Sequence, residues 1–390
     1  MARFQSGTEI HDVVLDGDNG IARREYCERQ LELLEQGYRR VRDPTREPDY
    51  PDDPRDPALE RTLHDNPDDD QTWLVYADHF IERGHPRGAL MALESAPVLN
   101  VVQRAQREAE AHGLRLAAMD VLAGPLAGRA GLNLRWRRGF IHRASLHGEF
   151  DRGAAEDLLF ELLRHPSARF LRELELSCWH HDAQDHRLLF ATLLHAAHAP
   201  PLRTLAIEYD TPRWVGYPPL GDVGALGVRY PLLEDISIAG DETTRFTGIS
   251  LPRATRFAFT TTRLQLHAIR AIAKADWPVL EEIELWFRES PCTFDEARFV
   301  LRLPALRRLR VLAAPFANEL VEALVVSPLA AQIDLLDLRH GALDDHGARM
   351  LIYYPGCFPS NMRCYVGRTN ITEAGVELLE DHDIETEGWW

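Results

Sequence analysis

The sequence predicts an α/β fold in which short parallel strands alternate with helices along a repeat array. A phrase of the form L-x-x-L-x-L, with apolar residues at its first, fourth and sixth positions, recurs from Ile141 to Leu338 and once more from Asn361 to Val366. Its successive starts differ by 30, 31, 31, 21, 26, 26, 27 and 28 residues, which leaves room for an α-helix behind each strand. The expected architecture is a horseshoe-shaped solenoid, with parallel strands on the concave face and helices on the convex face, preceded by a small helical module.

Composition narrows the classes of function. The 390 residues are 45% hydrophobic, which is ordinary for a globular protein, and the formal net charge of −17 repels phosphate backbones, so nucleic acid is not an expected partner. The five cysteines form no C-x-x-C pair, so we expect neither a disulfide framework nor a zinc ribbon, and a reducing cytoplasm fits best. No run of about 18 apolar residues occurs, so neither a signal peptide nor a membrane span is predicted.

The first 41 residues predict a small α+β segment. A strand is expected from Ile10 to Leu15, followed by a helix from Ile21 to Glu35 that ends at Gly37. The phrase LLEQGYRRV in this segment resembles the closing part of a WGR domain. Residues 42–57 are rich in proline and acidic residues and nearly devoid of apolar ones, so they predict an extended linker.

The stretch NPDDDQTWLVYADHFIERGHPRGAL, residues 66–90, predicts two helices. Apolar residues follow its three aspartates at the spacing of one helix face, which favours an aspartate as N-cap and acidic residues in the first turn. Gly84 is expected to end the first helix in a left-handed conformation, and Pro86 to open the second. An acidic metal loop is the alternative, but the glycine and distal glutamate of a calcium loop do not follow at the required spacing.

This stretch resembles the repeat-companion domain, a short helical module that accompanies leucine-rich repeats in bacteria with large genomes, particularly myxobacteria and planctomycetes. The match covers Asn66 to Asp70, Leu74 to Asp78, Glu82 to Gly84 and Pro86 to Gly88, whereas His79 replaces the usual tryptophan and His85 an acidic residue. The resemblance implies a helical module with a bridging helix at residues 58–122, and leucine-rich repeats after it.

Residues 123–390 are expected to form the repeat array with its caps. The segments LDLRHGALDDHGARML and YVGRTNITEAGVELL, which begin at Leu336 and Tyr365, resemble repeats of the ribonuclease-inhibitor type. Arg137 to Phe140 resemble the phrase that often follows the companion module, so we expect them in an N-terminal cap. A chance series of apolar residues is the alternative, and the interval of 21 residues that begins at Ala254 fits the repeat least well.

No catalytic motif is found, so the sequence predicts a protein that is not an enzyme. Nucleophile-elbow, zinc-protease, P-loop and dinucleotide-binding motifs are all absent, and no cofactor is expected. Metal ligands crowd only in CWHHDAQDH, Cys178 to His186, where the spacing matches no common structural zinc site. A solvated loop is the preferred interpretation there, and a metal-dependent hydrolase is kept as an alternative function.

The polar positions of the predicted strands offer a binding surface, because side chains alternate between the two faces of a strand. Acidic and basic groups alternate from strand to strand, so they either bind a partner or only pair with one another and keep the face soluble. Tyrosine and tryptophan side chains near the strand ends would add anchors. The candidate partner-binding residues are Arg172, Glu175, Trp179, Arg203, Tyr209, Glu281, Glu282, Glu284, Trp286, Arg307, Arg308, Arg310 and Asp337.

The function that these observations predict is a non-catalytic cytoplasmic scaffold or adaptor. Its partner would be another protein, bound on the concave face of the repeats. The competing hypothesis is a regulatory subunit or protease substrate in a bacterial stress or defence pathway, in which the linker at residues 42–57 is the processing site.

Overall fold

The structure is a computed structural model that describes residues 1–16, 20–43, 53–97, 100–151, 153–180, 185–209, 216–367 and 369–380. It divides into two compact units. Unit 1 comprises Met1–Ala183 and Ala191–Leu202, and unit 2 comprises Gln184–Phe190 and Arg203–Trp390. Within the described residues, no helix is both long enough and apolar enough to cross a bilayer.

Unit 1 begins with a small antiparallel sheet. Its strands are β1 (Ala2–Ser6), β2 (Glu9–Val13) and β3 (Arg39–Val41), and they lie in the order β2-β1-β3. Helix α1 (Gly20–Glu35) connects β2 to β3. The predicted helix is confirmed, whereas β1 was not predicted. Gly37 follows α1 with a φ of 87°, a left-handed conformation that glycine adopts without a steric penalty.

Five helices follow in unit 1: α2 (Pro57–Asp65), α3 (Asp70–Ile81), α4 (Pro86–Ser95), α5 (Val101–Ala117) and α6 (Met119–Leu122). The three aspartates at the start of α3 have structural partners, as expected for a helix start. The Asp69 carboxylate caps α3 by accepting hydrogen bonds from the amides of Gln71 and Thr72. Gly84 ends the helical turn after α3 with a φ of 64°, and Pro86 opens α4, as predicted.

Helices α3 and α4 pack closely because a glycine lies at their contact. A Cβ added to Gly88 would lie 2.8 Å from the Ala77 carbonyl oxygen and 2.7 Å from the backbone nitrogen of Ile81. Real Cβ atoms do not approach backbone atoms so closely, so any larger residue at position 88 must push the helices apart. This contact explains why a glycine ends the sequence Pro86-Arg87-Gly88, which we call the PRG phrase.

The large sheet has ten strands and is mostly parallel, which makes the fold α/β, as predicted. Its strands neighbour one another in sequence order, and only the first pair, β4 with β5, is antiparallel among the pairings described. The strands are β4 (Leu132–Arg137), β5 (Phe140–Phe150), β6 (Glu173–His180), β7 (Thr204–Ile207), β8 (Asp235–Ala239), β9 (Arg256–Thr260), β10 (Glu282–Trp286), β11 (Arg308–Leu312), β12 (Leu335–Asp337) and β13 (Arg363–Tyr365).

Every L-x-x-L-x-L phrase falls on one of the strands from β5 to β13, and the phrases share one register between β5 and β6 and from β7 to β13. The fourth position of each phrase pairs with the fourth position of the next across β7 to β13. These residues are all buried, and they are Leu205, Ile236, Phe257, Ile283, Leu309, Leu336 and Cys364. The phrase at Ala254 is therefore a strand like the others, with phenylalanines in place of leucines.

Helices of unequal length connect these strands: α7 (Ala154–Arg164), α8 (Arg187–Leu194), α9 (Leu226–Arg229), α10 (Leu266–Lys274), α11 (Phe294–Ala297), α12 (Ala317–Val325) and α13 (Asp345–Tyr353). Helix α14 (Glu373–Glu380) follows β13. The expectation of a full helix behind each strand is wrong between β8 and β9, where residues 240–255 contain no helix. The two phrases on β8 and β9 start only 21 residues apart, which is too short for a strand, a helix and the turns between them. This segment lies directly on α9, because a Cβ on Gly224 or Gly227 would collide with the carbonyl oxygen of Thr247 or Ser250.

Gly88→Ala is expected to destabilise the protein by roughly 1–3 kcal/mol, even though alanine favours a helix, because the methyl group overpacks the contact between α3 and α4. The matched control is Gly113→Ala in the middle of α5, where an added Cβ meets nothing within 4 Å. That variant should gain roughly 0.5–1 kcal/mol. Urea denaturation measures both, and equal effects would contradict the proposed close contact.

Candidate partner-binding site

The charged residues of β10, β11 and β12 form a single network of ion pairs in unit 2. Glu282 lies at its centre, with its carboxylate 2.8 Å from Arg308 and 3.2 Å from Arg310 on the next strand. It is also 3.4 Å from Arg256 on β9. Glu282 is buried, so three guanidinium groups surround one carboxylate, and those of Arg308 and Arg256 donate hydrogen bonds to it.

A second buried carboxylate extends the network. Asp337 on β12 is fully buried and lies 2.7 Å from Arg339 and 3.6 Å from Arg310. Arg310 also lies 3.9 Å from Glu284, whose carboxylate accepts a hydrogen bond of 2.9 Å from the indole nitrogen of Trp286. Parallel pairing brings these groups together, because Glu284, Arg310 and Asp337 occupy equivalent positions on neighbouring strands.

The arginines of β11 differ in how far they reach solvent. The side chain of Arg307 is 57% exposed and that of Arg308 46%, whereas that of Arg310 is 27% exposed. Arg307 lies 3.4 Å from the exposed carboxylate of Asp334. Arg307 and Arg308 are therefore the accessible cationic groups of a surface that also presents the carboxylates of Glu281 and Asp334 to solvent. We call this surface the charged strand face; it comprises Glu281, Glu282, Glu284, Arg307, Arg308, Arg310, Asp334 and Asp337.

Buried positions change the role of two predicted contact residues. Glu282 and Asp337 were predicted to contact a partner, but their burial leaves them to support the arginines above them. Glu281 remains exposed, and its carbonyl oxygen accepts the amides of Arg307 and Arg308 at 2.8 and 2.9 Å. The sequence pattern correctly places all these groups on polar strand positions, but it contains no information on the depth of each one.

The other predicted contact residues lie elsewhere. In unit 1, Glu175 pairs with Arg143 at 2.8 Å, Arg172 is buried, and Trp179 is half-buried. In unit 2, Arg203 pairs with Glu234, and the hydroxyl of Tyr209 lies 2.6 Å from Nδ1 of His186. These residues are therefore not members of the charged strand face.

The cysteine of the CWHHDAQDH stretch is a core residue. Cys178 is fully buried on the same side of β6 as Leu174 and Leu176, and burial raises the pKa of its thiol to about 12, so it is protonated at neutral pH. Residues 181–184 of this stretch lie outside the described residues. Among the described residues, no group of three or more potential metal ligands is found.

A buried ionic cluster in unit 1 was missed by the sequence analysis. Arg87 of the PRG phrase is fully buried and donates hydrogen bonds to the carbonyl oxygen of Gly139 and to the hydroxyl of Ser167, the latter at 3.0 Å. Its guanidinium lies 4.3 Å from the centre of the Phe140 ring. Burial lowers the pKa of Arg87 to about 9, yet the group stays protonated at neutral pH.

Two carboxylates compensate the charges of this cluster. Asp53 pairs with Arg169 and lies 3.4 Å from Arg87, and Glu60 lies 2.6 Å from Arg169. Glu60 also accepts a hydrogen bond of 2.7 Å from the Tyr76 hydroxyl, and burial raises the pKa of that hydroxyl. Asp53 belongs to the predicted linker, so the end of this segment is part of the packed structure. The sequence signal for this cluster is the triplet of residues 86–88, Pro-Arg-Gly, which lies beside apolar residues.

The same cluster fixes a hairpin against the helical module. Arg138 and Gly139 occupy the turn between β4 and β5 with φ of 55° and 73°, the left-handed pair that a two-residue hairpin turn requires. Phe140 then packs among Trp73, Tyr76 and Phe170 in one apolar cluster. Arg138 pairs with Asp70, so one of the three aspartates at the start of α3 also anchors this hairpin.

Comparisons with known proteins bear on the fold alone. No protein-family model matches the chain. No curated protein matches it either. Among solved structures, a protein from Bacteroides fragilis whose crystal structure was determined in a structural genomics programme is similar over 74% of this chain and 84% of its own, with 16% identity and a TM-score of 0.50.

Glu282→Gln should destabilise the protein by roughly 3 kcal/mol, because it removes the charge that compensates three arginines while it keeps the shape of the side chain. The neighbouring Glu281→Gln is the matched control, and its cost should stay within about 0.5 kcal/mol because that side chain is exposed. Chemical denaturation of the two variants tests the network. Equal costs would show that Glu282 does not hold the arginines.

His165 predicts an acid-dependent loss of stability in unit 1. It is buried, its Nδ1 accepts the amide of Ser167 at 3.1 Å, and burial, with a further contribution from Arg87, lowers its pKa to about 3. The unfolded chain therefore binds a proton first, near the ordinary pKa of about 6.5. Stability should be full above that pH and should fall as the pH drops from about 6.5 towards 3.

The variant His165→Asn separates this effect from the titration of carboxylates. Asparagine can accept the same amide but does not titrate, so the loss of stability between pH 6.5 and 4 should be smaller by on the order of 2 kcal/mol. Urea denaturation at several pH values gives the two slopes. Parallel slopes would rule out His165 as a source of the acid sensitivity, whatever the absolute stability of the variant.

Proposed function

We propose that this chain is a non-catalytic adaptor that binds an acidic surface of a partner protein on the charged strand face. The observation that carries the proposal is the exposure of Arg307 and Arg308, the second of which is held by the buried carboxylate of Glu282. Arginine is enriched at the energetic centres of protein interfaces, because its planar group donates several hydrogen bonds and stacks on apolar surfaces.

The network supports binding because it holds these side chains before a partner arrives. An arginine that is free in solution loses rotamer freedom when an interface immobilises it, at a cost of about 0.5–1.5 kcal/mol per side chain. Arg308 is already held by Glu282 at 2.8 Å, and Arg310 by Glu282 and Asp337. Much of the ordering cost therefore falls on folding and not on association.

The charge of the whole chain makes the exposed arginines of the charged strand face selective. A net charge of −17 repels acidic molecules at long range, so an acidic partner must approach the charged strand face in one orientation. Exposed charges are screened over about 8 Å at physiological ionic strength, so the association should weaken as salt is added.

We also propose that the chain is a cytoplasmic repeat-companion protein, whose array is a solenoid of ribonuclease-inhibitor-like leucine-rich repeats with the charged strand face on its concave side. The shared register of the phrases between β5 and β6 and from β7 to β13 supports the repeats. The packing of Phe140 among Trp73 and Tyr76 supports a capping role for the module, because the first strand of an array exposes an apolar edge.

The decisive experiment uses two variants of this chain, one with a photo-crosslinking amino acid at position 307 and the other with it at position 298. The proteins that each variant captures in the native host are then identified. Arg307→Glu should then weaken the affinity for a protein captured only from position 307 by at least about tenfold, because it puts an acid against an acidic surface. Its effect on the melting temperature should be small, since the side chain is exposed. Isothermal titration calorimetry measures the affinity.

Arg298→Glu is the matched control. Arg298 is 55% exposed and lies 3.6 Å from an exposed carboxylate, that of Asp295, so it resembles Arg307 in exposure and pairing but lies outside the strands. Its reversal should leave the affinity unchanged. An unchanged affinity of the Arg307 variant, or equal losses in both variants, would refute binding on the charged strand face.

A further inference from the structure

A cleft of about 380 Å³ lies at the carboxyl ends of four neighbouring strands in unit 2. Its residues follow β7, follow β9, end and follow β10, follow β11 and follow β12, so five connections contribute to one site. The ends of parallel strands are a common position for ligand sites in α/β proteins, because side chains from several connections meet there. The lining residues are Tyr217, Thr261, Thr262, Trp286, Arg288, Ala313 and His340.

Aromatic rings form one wall of the cleft. The rings of Trp286 and His340 are nearly parallel, with centroids 5.9 Å apart and an angle of 27° between their planes. The indole nitrogen of Trp286 donates to Glu284, which fixes the ring to the charged strand face. Tyr217 adds a third ring to the lining. A planar ring is the group that such a wall accommodates by stacking.

The backbone of this wall is held in an uncommon conformation. His340 and Ala313 have φ of 63° and 54°, in the left-handed region that residues other than glycine seldom adopt. Their amides donate to the carbonyl oxygens of Gly367 and Arg339 at 3.1 and 3.0 Å, so the neighbouring connections maintain the conformation. Residues in such conformations cluster at binding sites, where the surrounding structure over-determines them.

Arg288 supplies a positive charge to the cleft. It is exposed, and within the described residues it has no ion-pair partner, whereas Arg256, Arg308, Arg310 and Arg339 all have carboxylate partners. The hydroxyl groups of Thr261 and Thr262 add hydrogen-bonding capacity to the lining. An anionic group on a bound molecule would therefore meet a guanidinium that is not already compensated.

We propose that this cleft binds a planar aromatic ring that carries a carboxylate close to it, supplied by an aromatic residue beside an acidic residue in a segment of the partner protein. The ring stacks on the wall formed by Trp286 and His340, and the carboxylate pairs with Arg288. The volume is at the lower end of the range for ligand pockets, which suits one ring system. The source of the ring rests on the proposed function, because Trp286 joins the cleft to the charged strand face through Glu284.

The ligand chemistry is tested with two probes that differ only in charge, N-acetyl-tryptophan and N-acetyl-tryptophanamide. Isothermal titration calorimetry of the full chain should give a Kd of about 0.1–1 mM for the acid, as expected for a ligand of this size, and at least about fivefold weaker binding for the amide. Equal binding of the two probes, or no binding of the acid at 10 mM, would overturn the proposal.

Two variants locate the site. Arg288→Gln should remove the preference for the acid and leave the affinity for the amide unchanged. Trp286→Leu should weaken the binding of both probes at least about tenfold. Arg288 is exposed, so its variant remains informative if Trp286→Leu does not fold. Arg298→Gln, which changes an exposed arginine outside the cleft, should bind both probes like the wild type. Loss of binding in that control, or an unchanged preference for the acid in Arg288→Gln, would refute the site.

Two further probes decide the source of the ring. The peptide Ac-Glu-Trp-Asp-NH2 should bind at least as tightly as N-acetyl-tryptophan, and adenosine monophosphate should bind more weakly, since one guanidinium is a poor match for a phosphate. The assignment to a partner segment would be overturned if the peptide does not bind although N-acetyl-tryptophan does, or if adenosine monophosphate binds more tightly than the peptide. Arg307→Glu should not change the binding of any probe, so failure of this site and failure of the charged strand face are distinguishable.

Discussion

The alternation of side chains along a strand is the constraint on which the parallel sheet depends. Leu309 and its equivalents on neighbouring strands are buried in one register, so the residues between them must all point to the other side. A shift by one residue would bury Arg308 and Arg310 among apolar side chains, at a cost of several kcal/mol for each charge. The apolar register therefore also fixes which charges meet on the opposite face.

Once charges are aligned in this way, neighbouring strands must alternate in sign. Strands of a parallel sheet lie about 4.8 Å apart, so like charges at equivalent positions would repel one another strongly in a partly buried environment. Glu284, Arg310 and Asp337 follow one another across three strands and satisfy this requirement. The pairing costs desolvation and adds little stability by itself, so it is better understood as the means by which exposed arginines are oriented.

The strands from β5 to β13 could be predicted from the sequence, whereas β1 and the depth of the side chains could not. Every predicted phrase, including the one with Phe257 in a leucine position, forms a strand, because a pattern of local period two is enough to define it. The missing helix between β8 and β9 depends on how closely Gly224 approaches Thr247, and the burial of Glu282 depends on three arginines from other strands. These contacts join residues 23 to 28 positions apart, beyond the reach of a local pattern.

The helical module of unit 1 uses the same arrangement of charge for a different purpose. Arg87 and Arg169 share the carboxylate of Asp53, as Arg308 and Arg310 share that of Glu282. In the module, however, Arg87 is buried, Arg169 is nearly so, and their donors are directed at Gly139, Ser167 and Glu60. Breaking such a buried pair leaves an uncompensated charge, so it specifies one arrangement of the module and the hairpin. Exposure therefore separates the two clusters: buried guanidinium groups position parts of the chain, whereas Arg307 and Arg308 keep donors that another molecule can reach.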